Sequence, residues 1–261
     1  MTQQLIEGES VRVLAKLLNE GYSWHYCVTS PPYFSQIDYG HGSQIGLEST
    51  SDKYIKAVAE VFNLIYQGMD DGGVMWLNIQ DTISGYSTVR AGGRRQAEVS
   101  LRRKPEHGYR PSEPLEIPSR LVAQLREQGW ILIERQIWDK GQSSQPHRGQ
   151  RTGSCHEDIL VLGKSRYSRP RFGIRADTAS VLPYPPIKTN KQHPCQMPLA
   201  LAKRFLWRTT KKPATVIDPF CGYGTSLWAA QEHGHESIGI DLDITAAKDA
   251  QQSNLLWLNP C

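Results

Sequence analysis

Residues 214–225 read Ala-Thr-Val-Ile-Asp-Pro-Phe-Cys-Gly-Tyr-Gly-Thr. This is a strand, an acidic residue, and a Gly-x-Gly turn that opens a helix over 225–233. The glycines allow a close backbone approach, and the helix points its positive end at the ligand. A second strand follows at Ser237-Ile238-Gly239-Ile240-Asp241. The acid at its tip suits a ribose 2′/3′-diol. The unit belongs to a mostly parallel α/β sheet that binds its ligand at the carboxyl ends of its strands. A nicotinamide dinucleotide is one reading of such a unit. It is the weaker one, because the third expected glycine is missing from Gly222-Tyr223-Gly224-Thr225-Ser226-Leu227.

A second stretch, Val28-Thr29-Ser30-Pro31-Pro32-Tyr33-Phe34, lies near the other end of the chain. The apolar Tyr26-Cys27-Val28 reads as the end of a buried strand. Two prolines then forbid further sheet pairing, since neither has an N–H to donate. The result is a stiff, extended turn. It leaves the Ser30 hydroxyl and the Pro31 carbonyl as outward acceptors, with an aromatic face at Tyr33. An exocyclic NH2 on a flat base needs acceptors for its protons and a ring to stack on. Taken alone, Pro-Pro followed by tyrosine reads as a plain surface turn. The strand and glycine turn downstream reverse that balance.

Together the two motifs resemble the DNA amino-methyltransferases, which use S-adenosylmethionine to methylate the exocyclic nitrogen of cytosine or adenine. The tetrad precedes the cofactor motif, the order of that family's beta group. The resemblance implies a Rossmann-like methyltransferase fold with a circularly permuted motif order. It is a mostly parallel seven-stranded sheet with one antiparallel hairpin, in which the Ser30 and Asp218 strands are neighbours. It makes Ser30, Pro31, Pro32 and Tyr33 catalytic. It gives cofactor binding to Thr29, Asp218, Pro219, Phe220, Gly222, Gly224, Thr225 and Asp241. His193-Pro194, before a helix expected to end near 208, matches the family's His-Pro. That brings His193 near the cofactor's methionine carboxylate at a helix amino end. Gly8-Glu9 stands where the family has Gly-Asp, so Glu9 is either near the adenine or an ordinary surface acid. Asn78-Ile79-Gln80-Asp81 stands where it has Asn-x-Gly-Asp, so Asp81 is either a site residue or a helix cap. His156-Glu157 resembles the family's His-Glu, a structural pair beside the base pocket. Serine at the first tetrad position points to cytosine N4, and aspartate there would point to adenine N6.

Composition excludes several other classes. No apolar run approaches a membrane span. Met1–Glu7 is not a signal peptide. Five scattered cysteines make no disulfide framework, so a reducing, cytoplasmic setting is expected. At 261 residues and 39% hydrophobic, the chain suffices for one catalytic domain over 1–261, as a monomer or homodimer. The net charge of +4 is mild, and its distribution matters more. Residues 84–114 gather seven Lys and Arg against Glu98, Glu106 and Glu113, with no helical or strand period. They read as a cationic insertion that contacts DNA phosphates. Lys140, His147, Arg148 and Arg151 make a second basic stretch. Residues 164–192, basic and proline-rich, are the natural target-recognition region, where an arginine reads guanine edges. The partners implied are double-stranded DNA and a cognate restriction endonuclease.

Apolar periodicity adds helices over 11–20, 52–68, 115–128 and 244–256, the first capped by Ser10. Strands at 130–138 and 156–162 pair across 140–153 as a hairpin. Residues 34–51 are a lid or a plain connection. Three rival readings remain. Pro194-Cys195-Gln196 matches the nucleophile motif of cytosine-C5 methyltransferases, but its place before the cofactor motif argues against it. A zinc site from Cys155, His156, His193 and Cys195 lacks ligand spacing, so no metal is expected. A catalytically silent DNA-binding protein would show damage to the tetrad or the glycine turn, and both are intact.

Overall fold

Val74, Met75, Trp76, Leu77 and Ile79 are all apolar, so a strand here must bury both of its faces. That requirement sets the layers. The computed structural model describes residues 2–85, 90–91, 104–141, 153–170, 179–186, 197–209 and 211–253. The elements in chain order are β1 (Gln3–Glu7), α1 (Ser10–Asn19), β2 (Trp24–Thr29), β3 (Ile37–Asp38), α2 (Ser51–Gly68), β4 (Met69–Ile79), β5 (Arg90–Ala91) and α3 (Ile117–Glu127). There follow β6 (Ile131–Asp139), β7 (His156–Gly163), β8 (Val181–Pro183), α4 (Leu199–Trp207), β9 (Thr215–Asp218), α5 (Thr225–Glu232), β10 (Glu236–Asp241) and α6 (Thr245–Ser253).

Eight strands form one sheet in the order β1-β10-β9-β2-β4-β7-β6-β8, and β3 pairs with β5 apart from it. Only β7 runs antiparallel, to β4 on one side and β6 on the other. On β4, Met75, Leu77 and Ile79 face the layer that holds Leu14, Val58, Phe62 and Leu121 of α1, α2 and α3. Val74 and Trp76 face the opposite layer, with Leu201, Phe205 and Ala229 of α4 and α5. Among the described residues, no helix is long and apolar enough to cross a membrane.

Two expectations change, and a third segment shows its packing. The sheet has eight strands rather than seven. The extra one, β8, comes from the proline-rich stretch and pairs with Ile137–Asp139. It is an edge strand, where Pro183 is tolerated because its missing N–H costs no ladder bond. Ser10 is the first residue of α1 rather than its cap, because its hydroxyl donates to the Pro219 carbonyl at 2.6 Å. Residues 34–51, a lid or a plain connection in the sequence, hold Phe34–Ser35 and Ile45–Gly46 against the tetrad turn while Gly40–Ser43 are exposed. The Ser35 N–H donates to the Gly46 carbonyl at 2.6 Å, and Ile45 packs on the core.

The strand carrying the tetrad is held from below by Trp24. Its indole is fully buried and donates to the Ile65 carbonyl at 2.8 Å. A Cβ at Gly68 would stand 2.4 Å from Cζ2 of that ring and 2.8 Å from Cδ2 of Leu18. Gly68→Ala is therefore expected to cost roughly 1–3 kcal/mol of stability by overpacking. Urea unfolding would show a lower midpoint at unchanged slope, and an unchanged midpoint would refute this close packing.

Candidate active site

Asp218 ends β9 and is 4% exposed. Thr29, the last residue of neighbouring β2, donates from Oγ1 to its Oδ1 at 2.7 Å. The Phe220 N–H reaches the same oxygen at 3.0 Å. The Ser226 hydroxyl, in the first turn of α5, donates to Oδ2. One carboxylate thus ties together the tetrad strand, the glycine turn and the helix behind it. Asp241 acts similarly one strand over, accepting the Gly222 N–H at 2.8 Å and the Asp243 N–H at 3.2 Å. Gly222 and Gly224 take φ of +50° and +76°, the left-handed region that favours glycine. A Cβ on Gly222 would meet nothing within 4 Å, whereas one on Gly239 would stand 2.5 Å from Leu227 Cδ1. Gly239 therefore lets α5 and its turn lie close on the sheet, and Gly222 faces open space. Thr225 is the first residue of α5, and Pro219 holds Ser10 through its carbonyl.

The tetrad leaves β2 immediately beside this turn. Pro31 is buried and Ser30 half-buried. The Pro32 carbonyl accepts the Tyr54 hydroxyl at 2.9 Å. The Pro31 carbonyl accepts no hydrogen bond among the described residues. Tyr33, expected to face outward, is only 8% exposed. Its hydroxyl is drawn inward and lies 2.6 Å from Glu157 Oε2. Ser30 Oγ lies 3.1 Å from the Tyr33 hydroxyl, and Asn78 Nδ2 lies 2.9 Å from it. Asn78 Nδ2 also donates to Glu157 at 2.8 Å. Lys140 Nζ bonds the other Glu157 oxygen at 2.6 Å.

Lys140, counted in the second basic stretch, is therefore buried rather than exposed. It is 5% exposed and paired with Glu157, itself 3% exposed. Asn78 and Lys140 were missed as site residues. The signal for Asn78 was its place in Asn78-Ile79-Gln80-Asp81, of which only the acid was weighed, and that for Lys140 was slight, a lysine just past the end of β6.

Of its two readings, Asp81 takes the helix cap. Its carboxylate accepts the N–H groups of Thr82, Glu116 and Ile117 at 2.8, 3.0 and 2.9 Å, closing the amino end of α3. Burial pushes its pKa up, and the three amides oppose that rise. Glu9 is exposed at the carboxyl end of β1 and makes no capping bond to α1. The adjacent Gly8 N–H donates to the Asp241 carbonyl at 2.8 Å, so Glu9 and Asp241 share one rim. His193 and Cys195 lie outside the described residues, as does most of the basic stretch from 92 to 103.

A family model described as DNA methylase, of the N6/N4 methyltransferases, matches residues 24–252. The chain belongs to the N6/N4 DNA methylase family. The type II methyltransferase M.SmaI of Serratia marcescens is 30% identical over 244 residues, covering 86% of this chain and 82% of that protein. The fold matches that of the PvuII cytosine-N4-specific DNA methyltransferase with a TM-score of 0.70 at 14% identity, over 99% of this chain and 87% of that one. It matches the M1.HpyAVI–SAM complex with a TM-score of 0.65 at 16% identity, over 97% and 100%. Membership of this DNA methylase family sets aside the dinucleotide reading and ring-carbon chemistry at Cys195. The tetrad turn precedes the glycine turn, as in the beta group.

Burial pushes the Asp218 carboxyl up to about 6, against the hydrogen bonds from Ser226, Thr29 and Phe220 and with help from nearby Asp241. The folded state thus holds this proton more tightly than the unfolded chain does. The stability this group lends is full below pH 4 and is lost as pH rises through 6, a fall of roughly 2–3 kcal/mol. In Asp218→Asn the side chain carries no charge, its oxygen still accepts from Thr29 and Phe220, and its NH2 donates to the Ser226 oxygen once that hydroxyl turns its own proton away. Its stability relative to the wild type is expected to improve by about that amount between pH 4 and 7. Urea titrations across that range measure the difference, and a constant difference would exclude a buried, ionised Asp218.

Proposed function

We propose that this DNA methylase transfers a methyl group from S-adenosylmethionine to the exocyclic N4 of cytosine in duplex DNA. The observation that carries the reading is one juxtaposition. The Ser30 hydroxyl and the Pro31 carbonyl, which accepts no bond among the described residues, leave β2 where Thr29 bonds Asp218 of the glycine turn. Serine at the first tetrad position favours cytosine over adenine, and the PvuII enzyme of like fold is described as cytosine-N4-specific.

The residues at the rim suit the cofactor. Gly222 leaves open space beside its backbone, as a closely held ligand requires. The amino end of α5 favours negative charge, which matches a methionine carboxylate. Asp241, already oriented by two amides, and exposed Glu9 supply acceptors for a ribose diol and an adenine edge. Phe220 packs against the core beside them. When bound, the cofactor supplies an electrophilic methyl group.

The protein's own work is positional. The amine of cytosine is a poor nucleophile because its lone pair is delocalised into the ring. Ser30 Oγ and the Pro31 carbonyl accept its two N–H bonds, localising that pair and aiming it. Holding two reactants in line is worth on the order of 7–11 kcal/mol at best. Pro32 and Tyr33 fix the turn, and Asp218 fixes its distance from the cofactor turn. The target base leaves the duplex to reach this rim. The whole chain acts as one catalytic unit. The likeness to a type II methyltransferase supports a cognate restriction endonuclease as partner.

Nucleosides from duplex DNA incubated with protein and labelled S-adenosylmethionine, resolved by mass spectrometry, test the reading. N4-methylcytosine is expected. N6-methyladenine would keep the mechanism and change the base, and 5-methylcytosine would refute it. Ser30→Ala is expected to lower kcat by about 100-fold or more while cofactor Kd moves less than about twofold, since its contact is made to the reacting amine.

A further inference from the structure

The buried Glu157–Lys140 pair has no role in the scheme above, yet it reaches the tetrad. A buried ion pair is weak support for stability, since well-packed apolar residues of like volume often do as well. Its use lies in hydrogen-bond direction. The Tyr33 hydroxyl has one proton, and Ser30, Asn78 and Glu157 each lie within bonding distance of it. The Asn78 amide nitrogen only donates, and the Glu157 carboxylate, ion-paired to Lys140, only accepts. The proton therefore goes to Glu157 at 2.6 Å. The Tyr33 oxygen then accepts from Asn78 and from Ser30. Ser30 must turn its own proton inward, and its lone pairs are left for the ligand side.

We infer that Glu157, with Lys140 behind it, is a positioning residue for methyl transfer, orienting the Ser30 hydroxyl through Tyr33 so that it meets the target amine as an acceptor. Were the chain of bonds reversed, Ser30 would present a donor to an NH2 group. The inference rests on the amino-methylation reading.

The test is a kinetic cycle that keeps the pocket filled. Glu157→Leu with Lys140→Met removes both charges together, leaving no buried ammonium unpaired, and frees the Tyr33 proton to turn toward Ser30. It is expected to lower kcat about tenfold, the worth of one well-placed hydrogen bond, with KM for DNA and cofactor Kd within about twofold. Glu157→Gln with Lys140→Met keeps a carbonyl acceptor for Tyr33 and is expected to restore kcat to within about threefold of wild type. Tyr33→Phe leaves every buried charge in place and is also expected to lose about tenfold. Adding the Leu/Met pair to Tyr33→Phe should cost nothing further, because both act through one hydroxyl. Multiplying losses, an unchanged kcat in Tyr33→Phe, or a glutamine variant no better than leucine would overturn the inference while the wild type still methylates an amine. A wild type that yields no methylated amine overturns the functional reading and this inference with it.

Discussion

The hydrogen bond from Thr29 to Asp218 closes the gap where the strand order reverses. Strands β2 and β9 are in register only at Tyr26 with Val216 and Cys27 with Ile217. Beyond that the backbone ladder ends. The chain leaves β9 through α5 toward β10 on one side, and leaves β2 through α2 toward β4 on the other. Such a divergence opens a crevice at the carboxyl ends of an α/β sheet. Side chains must then hold what backbone bonds no longer can. A carboxylate with four acceptor sites suits this, because it ties several donors at once. The cost is burial of a charge, visible in the raised Asp218 pKa. The two turns that carry the proposed chemistry stand at a fixed separation because of it.

The same device recurs along the rim. Asp81 gathers three amides and so anchors the amino end of α3 to the end of β4. Glu157 gathers a phenol, an amide and an ammonium at the start of β7. In each case an acid at a strand end organises donors from segments far apart in the chain. The differences lie in the donors. Asp81 is met by backbone amides alone among the bonds that cap α3. Glu157 binds a hydroxyl that is itself bonded to Ser30, so its influence passes on to the reacting edge.

What the sequence showed clearly was what depends on neighbours in the chain. The Asp218 to Asp241 unit, the Ser30 turn and the β6–β7 hairpin all follow from local patterns, and each is present. What it hid depends on partners far along the chain. Ser10 satisfies the local rule for a helix cap but donates to Pro219, more than 200 residues away. Asp81 caps a helix that begins 36 residues later, which no spacing rule anticipates. Tyr33 looked exposed because its neighbours are prolines, and the acid that draws it inward comes from β7. An eighth strand was hidden in a segment whose prolines argued against any strand, because that argument fails at a sheet edge.

The antiparallel strand also decides which charges stand near the tetrad. β7 starts at the rim of Ser30 and ends at Gly163, opposite Val74 near the start of β4. Lys164 and Ser165 therefore lie at the far rim, bonded to the carbonyls of Met69 and Asp71. Strand β8 pairs with the last residues of β6 and so returns the chain to the near rim. Two described parts of the basic, proline-rich stretch, Lys164 after β7 and Val181–Pro183 of β8, thus stand at opposite ends of the sheet. Lys140, at the near rim, turns inward to Glu157. Charge counted along a chain becomes a binding surface only after strand direction has assigned each residue to a rim. In this fold the single reversed strand makes that assignment.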